Sequence, residues 1–301
     1  MNFDENTIPR IGIVGGFQYG KSTLINCLLQ DRVAISGIGV ATTKQVTRYF
    51  FASSPILNAF KKNADIPYIS DKNITKEAIE NIIKESDISF CEVGIPCSFL
   101  KHVELWDTPG FNANDRDNEV TSTFFEKLDY AFILISGDLT QPDIETLHLI
   151  SNNKIPYTVL YNSKDEERWE PGAGNNKLIR DNSIAKMQQL GFGSSISIPG
   201  QGSVLAINTA WSWYDIVKIQ KKTNFILSPS DGEEMLFRRI RNFLAFQNEN
   251  EKLNLKQASN VDILRDFLNP KGITFGNLHT QLDIYKEVFN LQNAFEDLTK
   301  I

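Results

Sequence analysis

One stretch limits the architecture more than any other. Gly15-Gly16-Phe17-Gln18-Tyr19-Gly20-Lys21-Ser22 fits GxxxxGK[ST] and lies between an apolar run at residues 10–14 and a helical pattern through TLINCLL. Strand, glycine loop and helix in that order form one βα unit, in which backbone N–H groups curl round an anion at the helix N-terminus. Average residue usage produces the four specified positions by chance in roughly one chain in a hundred of this length, and the flanking context lowers that further. The glycines permit the curl, Lys21 brings a cation to the β and γ oxygens of a triphosphate, and Ser22 brings a hydroxyl to Mg²⁺. Phe17, Gln18, Tyr19 and Thr23 complete the expected phosphate contacts.

Four more apolar runs, HVELWD, YAFILIS, YTVLYN and SVLAIN, are short, rich in Ile, Val, Leu and aromatics, and followed by turns. Their alternation with helical patterns predicts an α/β fold with a doubly wound, mostly parallel sheet. Residues 53–101 read as an insertion, in which Thr75 predicts a helix cap with Glu77 in the first turn and Ile79, Ile82 and Ile83 on one face. Leu236, Ile240, Phe243 and Leu244, after a Ser-Pro-Ser-Asp-Gly turn, predict the helix that closes this domain, 1–247. Residues 248–301 read as a small helical C-terminal segment, broken around Asn269-Pro270 and Gly272. Its last helix carries Leu282, Tyr285, Phe289, Phe295 and Leu298 as a stripe. Asp283, Glu287, Glu296 and Asp297 flank that stripe with few basic residues, which predicts intramolecular packing rather than membrane contact.

A bound triphosphate needs its metal held from a second strand end, and ELWDTPG supplies a carboxylate there. Asp107 is expected to hold Mg²⁺, and the Gly110 N–H to meet the γ-phosphate. Between the two motifs lies Gly39-Val40-Ala41-Thr42-Thr43-Lys44, where one threonine hydroxyl can complete the metal shell; Thr43 is favoured, with Thr42 as the alternative. The strand YTVLYN ends in Asn162-Ser163-Lys164-Asp165. A carboxylate at Asp165 accepts from both the N1–H and the amine of guanine, whereas adenine has an acceptor at N1 and no amine, so GTP is expected over ATP. Asn162 is expected to brace the base pocket and the glycine loop, while Ser163 stands where the [NT]-K-x-D signature carries a lysine. Asn208-Thr209-Ala210 offers a second base contact, the Ala210 N–H to the guanine carbonyl. Phe111, just past the glycine of DTPG, cannot orient a water as a glutamine there would; Gln18 is the substitute, able to order water, hold a monovalent cation or touch the phosphates.

Composition removes other classes. Thirty-one basic against 37 acidic side chains leave a net charge of −6, so no broad nucleic-acid or anionic-lipid surface is expected. Three cysteines without zinc-like spacing suit a reducing compartment, and the polar, acidic start MNFDENTIPR is unlike a signal peptide, so a cytoplasmic setting is expected.

Taken in order, the phosphate loop, threonine loop, DTPG and N-x-x-D resemble the translation-factor-related GTPases, and more narrowly the dynamin-like GTPase domain of bacteria. The resemblance rests on GGFQYGKSTLINCLL, GVATTKQVT and VGIPCSFLKHVELWDTPGFN and covers about residues 9–247. It implies GTP binding, hydrolysis to GDP and phosphate that is slow or stimulated by dimerisation, and nucleotide-dependent assembly as a homodimer. The alternative is a GTP-binding interaction module with negligible turnover. At 301 residues the chain is too short for the long helical stalk with which dynamin-like proteins remodel membranes, so remodelling is not part of the expectation.

Overall fold

Runs of Ile, Val, Leu and aromatic residues that must escape water on both faces pair edge to edge at the centre of one sheet. The computed structural model describes residues 8–34, 45–85, 87–109, 124–163, 176–220, 222–246, 260–269 and 277–298. Its strands are β1 (Arg10–Gly15), β2 (Val46–Phe51), β3 (Ile56–Lys61), β4 (Ile69–Asp71), β5 (Ile88–Ile95), β6 (Glu104–Asp107), β7 (Tyr130–Ile135), β8 (Tyr157–Asn162) and β9 (Val204–Ile207). They form a single sheet in the order β4-β3-β5-β2-β6-β1-β7-β8-β9. From β6 to β9 every pairing is parallel. β2 is antiparallel to β6 but parallel to β5, and β3 is antiparallel to both β5 and β4. The architecture is the expected α/β fold with a mostly parallel sheet flanked by helices, and the antiparallel pairings of β2 with β6 and of β3 with β4 and β5 make that sheet mixed.

The helices are α1 (Lys21–Leu29), α2 (Lys76–Lys84), α3 (Gln141–Asn152), α4 (Asn176–Gln189), α5 (Thr209–Tyr214), α6 (Asp231–Phe246), α7 (Val261–Leu268) and α8 (Leu278–Leu298). Two apolar layers sandwich the sheet. Ile11, Ile13, Leu24, Ile25, Leu28, Leu205 and Trp213 belong to one, and Val14, Ile133, Leu147, Ile150 and Met187 to the other. Val261, Leu264, Phe267, Leu268, Leu278 and Leu282 join the first layer, so α7 and the start of α8 pack on the same core as β1. The Arg265 Nε also donates to the Leu28 carbonyl at 3.0 Å, capping the C-terminal end of α1.

Local signals placed several boundaries. Thr75 caps α2, its hydroxyl accepting from the Ala78 N–H at 3.1 Å, and Ile82 is buried below it. α1 runs through TLINCLL and starts at Lys21, because the glycine loop turns directly into it after Gly20. One boundary differs from the sequence pattern. Asp231 and Gly232 belong to the first turn of α6, whose Glu233 N–H is taken by the Ser230 hydroxyl at 3.2 Å, rather than to the turn before it. The insertion holds three strands besides its helix. β5 buries Cys91, Val93 and Ile95 while Phe90 and Glu92 stay half-buried on the other face, a one-sided alternation that lacks the long apolar run of a central strand. The side chains of Ile83, Phe243, Leu244, Phe289, Phe295 and Leu298 lie outside the described ones. No helix among the described residues is long and apolar enough to cross a membrane.

Candidate functional site

The glycine loop turns where β1 leaves the sheet, and two backbone positions require glycine there. Gly15 has φ +153°, and a Cβ on it would sit 2.5 Å from the Leu134 carbonyl oxygen. Gly20 has φ +90°, with a Cβ position 2.4 Å from Asn162 Nδ2 and 3.0 Å from Thr209 Oγ1. Gln18, without that freedom, still takes φ +60° and is exposed beside exposed Phe17. Gly16 lies under the ring of Tyr19, whose hydroxyl donates to Asp143 Oδ2 at 3.2 Å. Burial, and the charge of Asp143 beside it, push the Tyr19 phenol up to about 12.

Lys21 opens α1 but turns its side chain back, the Nζ donating to the carbonyls of Gly15 and Gly16 at 2.9 Å each. It is buried; desolvation lowers its pKa, and the Asp107 carboxylate opposes that. Asp107, at the end of β6, is 1% exposed and accepts from the Ser22 hydroxyl through Oδ2 at 3.1 Å. Its Oδ1 is buried without a hydrogen-bond partner among the described residues. Burial pushes this carboxyl up to about 6, against the lowering effects of Lys21 and the Ser22 hydrogen bond. A hard divalent cation takes oxygen ligands. A serine hydroxyl beside a buried carboxylate with one oxygen unclaimed fits such an ion. Among the described residues no cluster of three or more His, Cys, Asp or Glu forms a separate metal site. The next residue, Thr108, donates its hydroxyl to the Ile13 carbonyl at 3.0 Å and ties the end of β6 to β1.

On the other side of the loop, Asn162 at the end of β8 joins three segments. Its Nδ2 donates to the Tyr19 carbonyl at 2.8 Å and to Thr209 Oγ1 at 3.0 Å, and its Oδ1 accepts from the Thr209 N–H at 3.1 Å. Asn208 caps α5 by accepting from the Trp211 N–H at 3.1 Å, and buried Thr209 at its start lies beside Gly20 of the loop, with buried Ala210 following it in the helix. Thus Gly15, Gly16, Phe17, Gln18, Tyr19, Gly20, Lys21, Ser22 and Thr23 form one loop and helix start, with Asp107, Asn162 and Thr209 around it and Ala210 next to Thr209 in α5. Thr42, Thr43, Gly110, Phe111 and Asp165 lie outside the described residues.

The family described as 50S ribosome-binding GTPase matches residues 10–163, from the first strand through the asparagine that braces the loop. The chain belongs to that GTPase family. It is therefore a P-loop GTPase domain, of a class that hydrolyses GTP. This GTPase is 27% identical over 173 residues to Dynamin-like protein 2 of Campylobacter jejuni subsp. jejuni, covering 55% of this chain and 27% of that protein. It is 26% identical over 156 residues to a probable transmembrane GTPase, FZO-like, of Arabidopsis thaliana, covering 51% of this chain and 15% of that protein. A solved structure described as an oligomerised bacterial dynamin pair superposes with a TM-score of 0.46 at 18% identity, covering 88% of this chain and 36% of that chain. The GTPase thus spans under a third of the length of these two curated relatives.

Two contacts of the loop had no place in the sequence reading. Tyr19 reaches Asp143, whose Oδ2 also accepts from the Thr140 N–H at 2.9 Å and hydroxyl at 2.7 Å. The spacing Thr140-x-x-Asp143 is a helix-start signature, so the cap was legible although its link to the loop was not. The second, the Asn26 amide of α1, accepts from the Val33 and Ala34 N–H groups at 3.0 and 2.8 Å, and its only signal was a polar residue inside an apolar helix.

Proposed function

We infer that this GTPase binds GTP in the loop between β1 and α1 and hydrolyses it to GDP and phosphate as a nucleotide-dependent switch. The observation that carries the reading is the meeting of three buried or half-buried groups beside the glycine loop: the Lys21 ammonium, the Ser22 hydroxyl and the Asp107 Oδ1, which has no hydrogen-bond partner among the described residues. Backbone N–H groups of the loop bind the phosphates, and Lys21 neutralises charge on the β and γ oxygens without a proton of its own moving. Ser22 and Asp107 would hold Mg²⁺, which when bound neutralises further phosphate charge. Thr43, or Thr42 in its place, and the Gly110 N–H sense the γ-phosphate. Asp165 reads the guanine edge and Ala210 its carbonyl, while Asn162 keeps the base side and the phosphate side in register. Exposed Gln18, held at φ +60°, orders the attacking water or a monovalent cation.

Nucleotide-dependent assembly into a homodimer completes the reading, in a reducing, cytoplasmic setting that suits three free cysteines. The test is multiple-turnover phosphate release with GTP at several protein concentrations. Assembly-stimulated hydrolysis rises faster than linearly with concentration. A strictly linear rise leaves a hydrolase without assembly. Tight GTP binding with no phosphate release replaces this reading by the GTP-binding interaction module.

A further inference from the structure

Position 19 is unspecified in the glycine-loop motif, yet the structure grips Tyr19 from several sides. Its N–H donates to the Gly16 carbonyl at 3.3 Å, closing a turn over Phe17 and Gln18. Its carbonyl accepts from Asn162 Nδ2 at 2.8 Å. Its ring covers Gly16, where a Cβ would come within 2.8 Å of it, and its hydroxyl donates to Asp143 Oδ2 at 3.2 Å. A trans peptide sets C=O and N–H antiparallel, so a fixed Tyr19 carbonyl also fixes the direction of the Gly20 N–H. The turn needs such support. Gln18 occupies the left-handed region at φ +60°, which a non-glycine residue keeps where its surroundings over-determine it.

The far end of this brace is itself held. Asp143 is 4% exposed and stands in the first turn of α3, where the same Oδ2 accepts from the Thr140 N–H at 2.9 Å and hydroxyl at 2.7 Å. Hydrogen bonds to an ionised acceptor are roughly twice as strong as neutral ones. Further along α3, Leu147 and Ile150 are buried in the second apolar layer. The connection from β7 into α3 is tied in turn to α4: the Ser183 hydroxyl donates to the Gly137 carbonyl at 2.9 Å, and Lys186 Nζ to the Leu139 carbonyl at 3.2 Å. The glycine loop is therefore strutted against a helix whose start is fixed from two directions.

We propose that Asp143 is a positioning residue for phosphate binding: through the Tyr19 hydroxyl it holds the glycine loop in its phosphate-accepting turn before the nucleotide arrives. A loop held in its bound shape surrenders less freedom on binding. The proposal rests on the reading of this loop as the phosphate cradle. Base and ribose make no use of the turn, so Asp143 acts on the part of the affinity that comes from the phosphates.

The experiment measures affinity for GDP and for GMP by competition titration in Tyr19→Phe, Asp143→Ala and the double variant. GMP keeps the base, the ribose and one phosphate but leaves the place of the β-phosphate empty. Tyr19→Phe keeps the ring on Gly16 and removes only the hydroxyl. It is expected to lower the preference for GDP over GMP by about fivefold or more. Asp143→Ala is expected to lower it by a similar factor, and the double variant by no more than the larger single loss, because both remove the same bond. If Asp143→Ala does not fold, Asp143→Asn takes its place in the cycle with a smaller loss, since it keeps an accepting oxygen without the charge. An unchanged preference in folded Tyr19→Phe, with or without an equal loss for both nucleotides, makes the brace merely structural and overturns the proposal. Losses that multiply in the double variant overturn it too, because the two residues then act separately. Lys21→Ala, measured alongside, tests the underlying reading. If it loses GDP affinity while Tyr19→Phe retains the preference, the proposal alone fails; if it retains GDP affinity, the loop is not the phosphate cradle and both fail.

Discussion

The two halves of the sheet solve different problems. From β6 to β9 the strands are parallel, with β1, β7 and β8 buried on both faces, and every described residue assigned to phosphate, metal or base sits at or just beyond their C-terminal ends. From β2 to β4 the sheet is mixed and has one dry face. Leu57, Ala59, Cys91 and Val93 face the core, while Arg48, Phe50, Asn58, Phe60, Phe90 and Glu92 are half-buried on the other side. That second face is neutralised within itself: Arg48 donates to Glu104 through Nε at 2.9 Å and through Nη2 at 2.5 Å, and to Glu92 through Nη1 at 2.8 Å. Parallel strands place successive loops at one end of a sheet, where a ligand can be met from several directions. Antiparallel additions carry no such convergence, so the second half acts as support for β6 rather than as chemistry.

The sharpest way to break this division is Lys21→Ala in the first half. Loss of the ammonium is expected to weaken triphosphate binding and turnover by roughly a hundredfold or more, while circular dichroism and the melting profile remain folded, because the Lys21 ammonium is bonded to loop carbonyls. Normal GTP affinity in that variant would remove the chemistry from this half. Gly20→Ala comes next. The residue needs φ +90°, and its Cβ would displace Asn162 from the Tyr19 carbonyl and Thr209, so denaturant unfolding should show a loss of roughly 1–3 kcal/mol together with weakened nucleotide binding.

Arg48→Met tests the other half with a smaller effect. Removing a half-buried guanidinium from two carboxylates should cost about 1–2 kcal/mol in a denaturant titration and leave GTP affinity within about twofold. A large loss of GTP affinity there would show that the halves are not separable. The smallest effect is expected where α8 meets the domain. Burial lowers the pKa of His279; His102 and Lys286 lower it further, and Asp283 opposes them. An imidazole whose folded pKa lies below its unfolded value near 6.5 contributes its full stability above that pH and loses it as pH falls through the folded value. Denaturant midpoints taken at about pH 7.5 and about pH 5.5 should therefore differ more in the wild type than in His279→Gln. Equal differences would mean that His279 does not titrate with folding.

The same division explains what could be read before any coordinates. RIGIVG, YAFILI and YTVLYN announce themselves because a strand buried on both faces must be apolar at nearly every position, and the glycine loop is specified by residues that are neighbours in sequence. The strands of the insertion were not legible, because one-sided alternation over a few residues resembles many exposed segments. The Thr75 cap was local and visible; its neighbour β5 depends on β2 and β3 for its partners.

Within the site, the sequence alone determined which chemistry is available: a cation, a hydroxyl and a carboxylate at the spacing of a phosphate loop and a second strand end. Tertiary structure decided how those groups are held. Asn162 meets Tyr19 across 143 residues, Tyr19 meets Asp143 across 124, and Arg32 meets Glu233 across 201. No local pattern encodes such pairs, because each partner alone is an ordinary polar residue. Only the closing of the sheet and its helices excludes water from both and makes their hydrogen bonds obligatory.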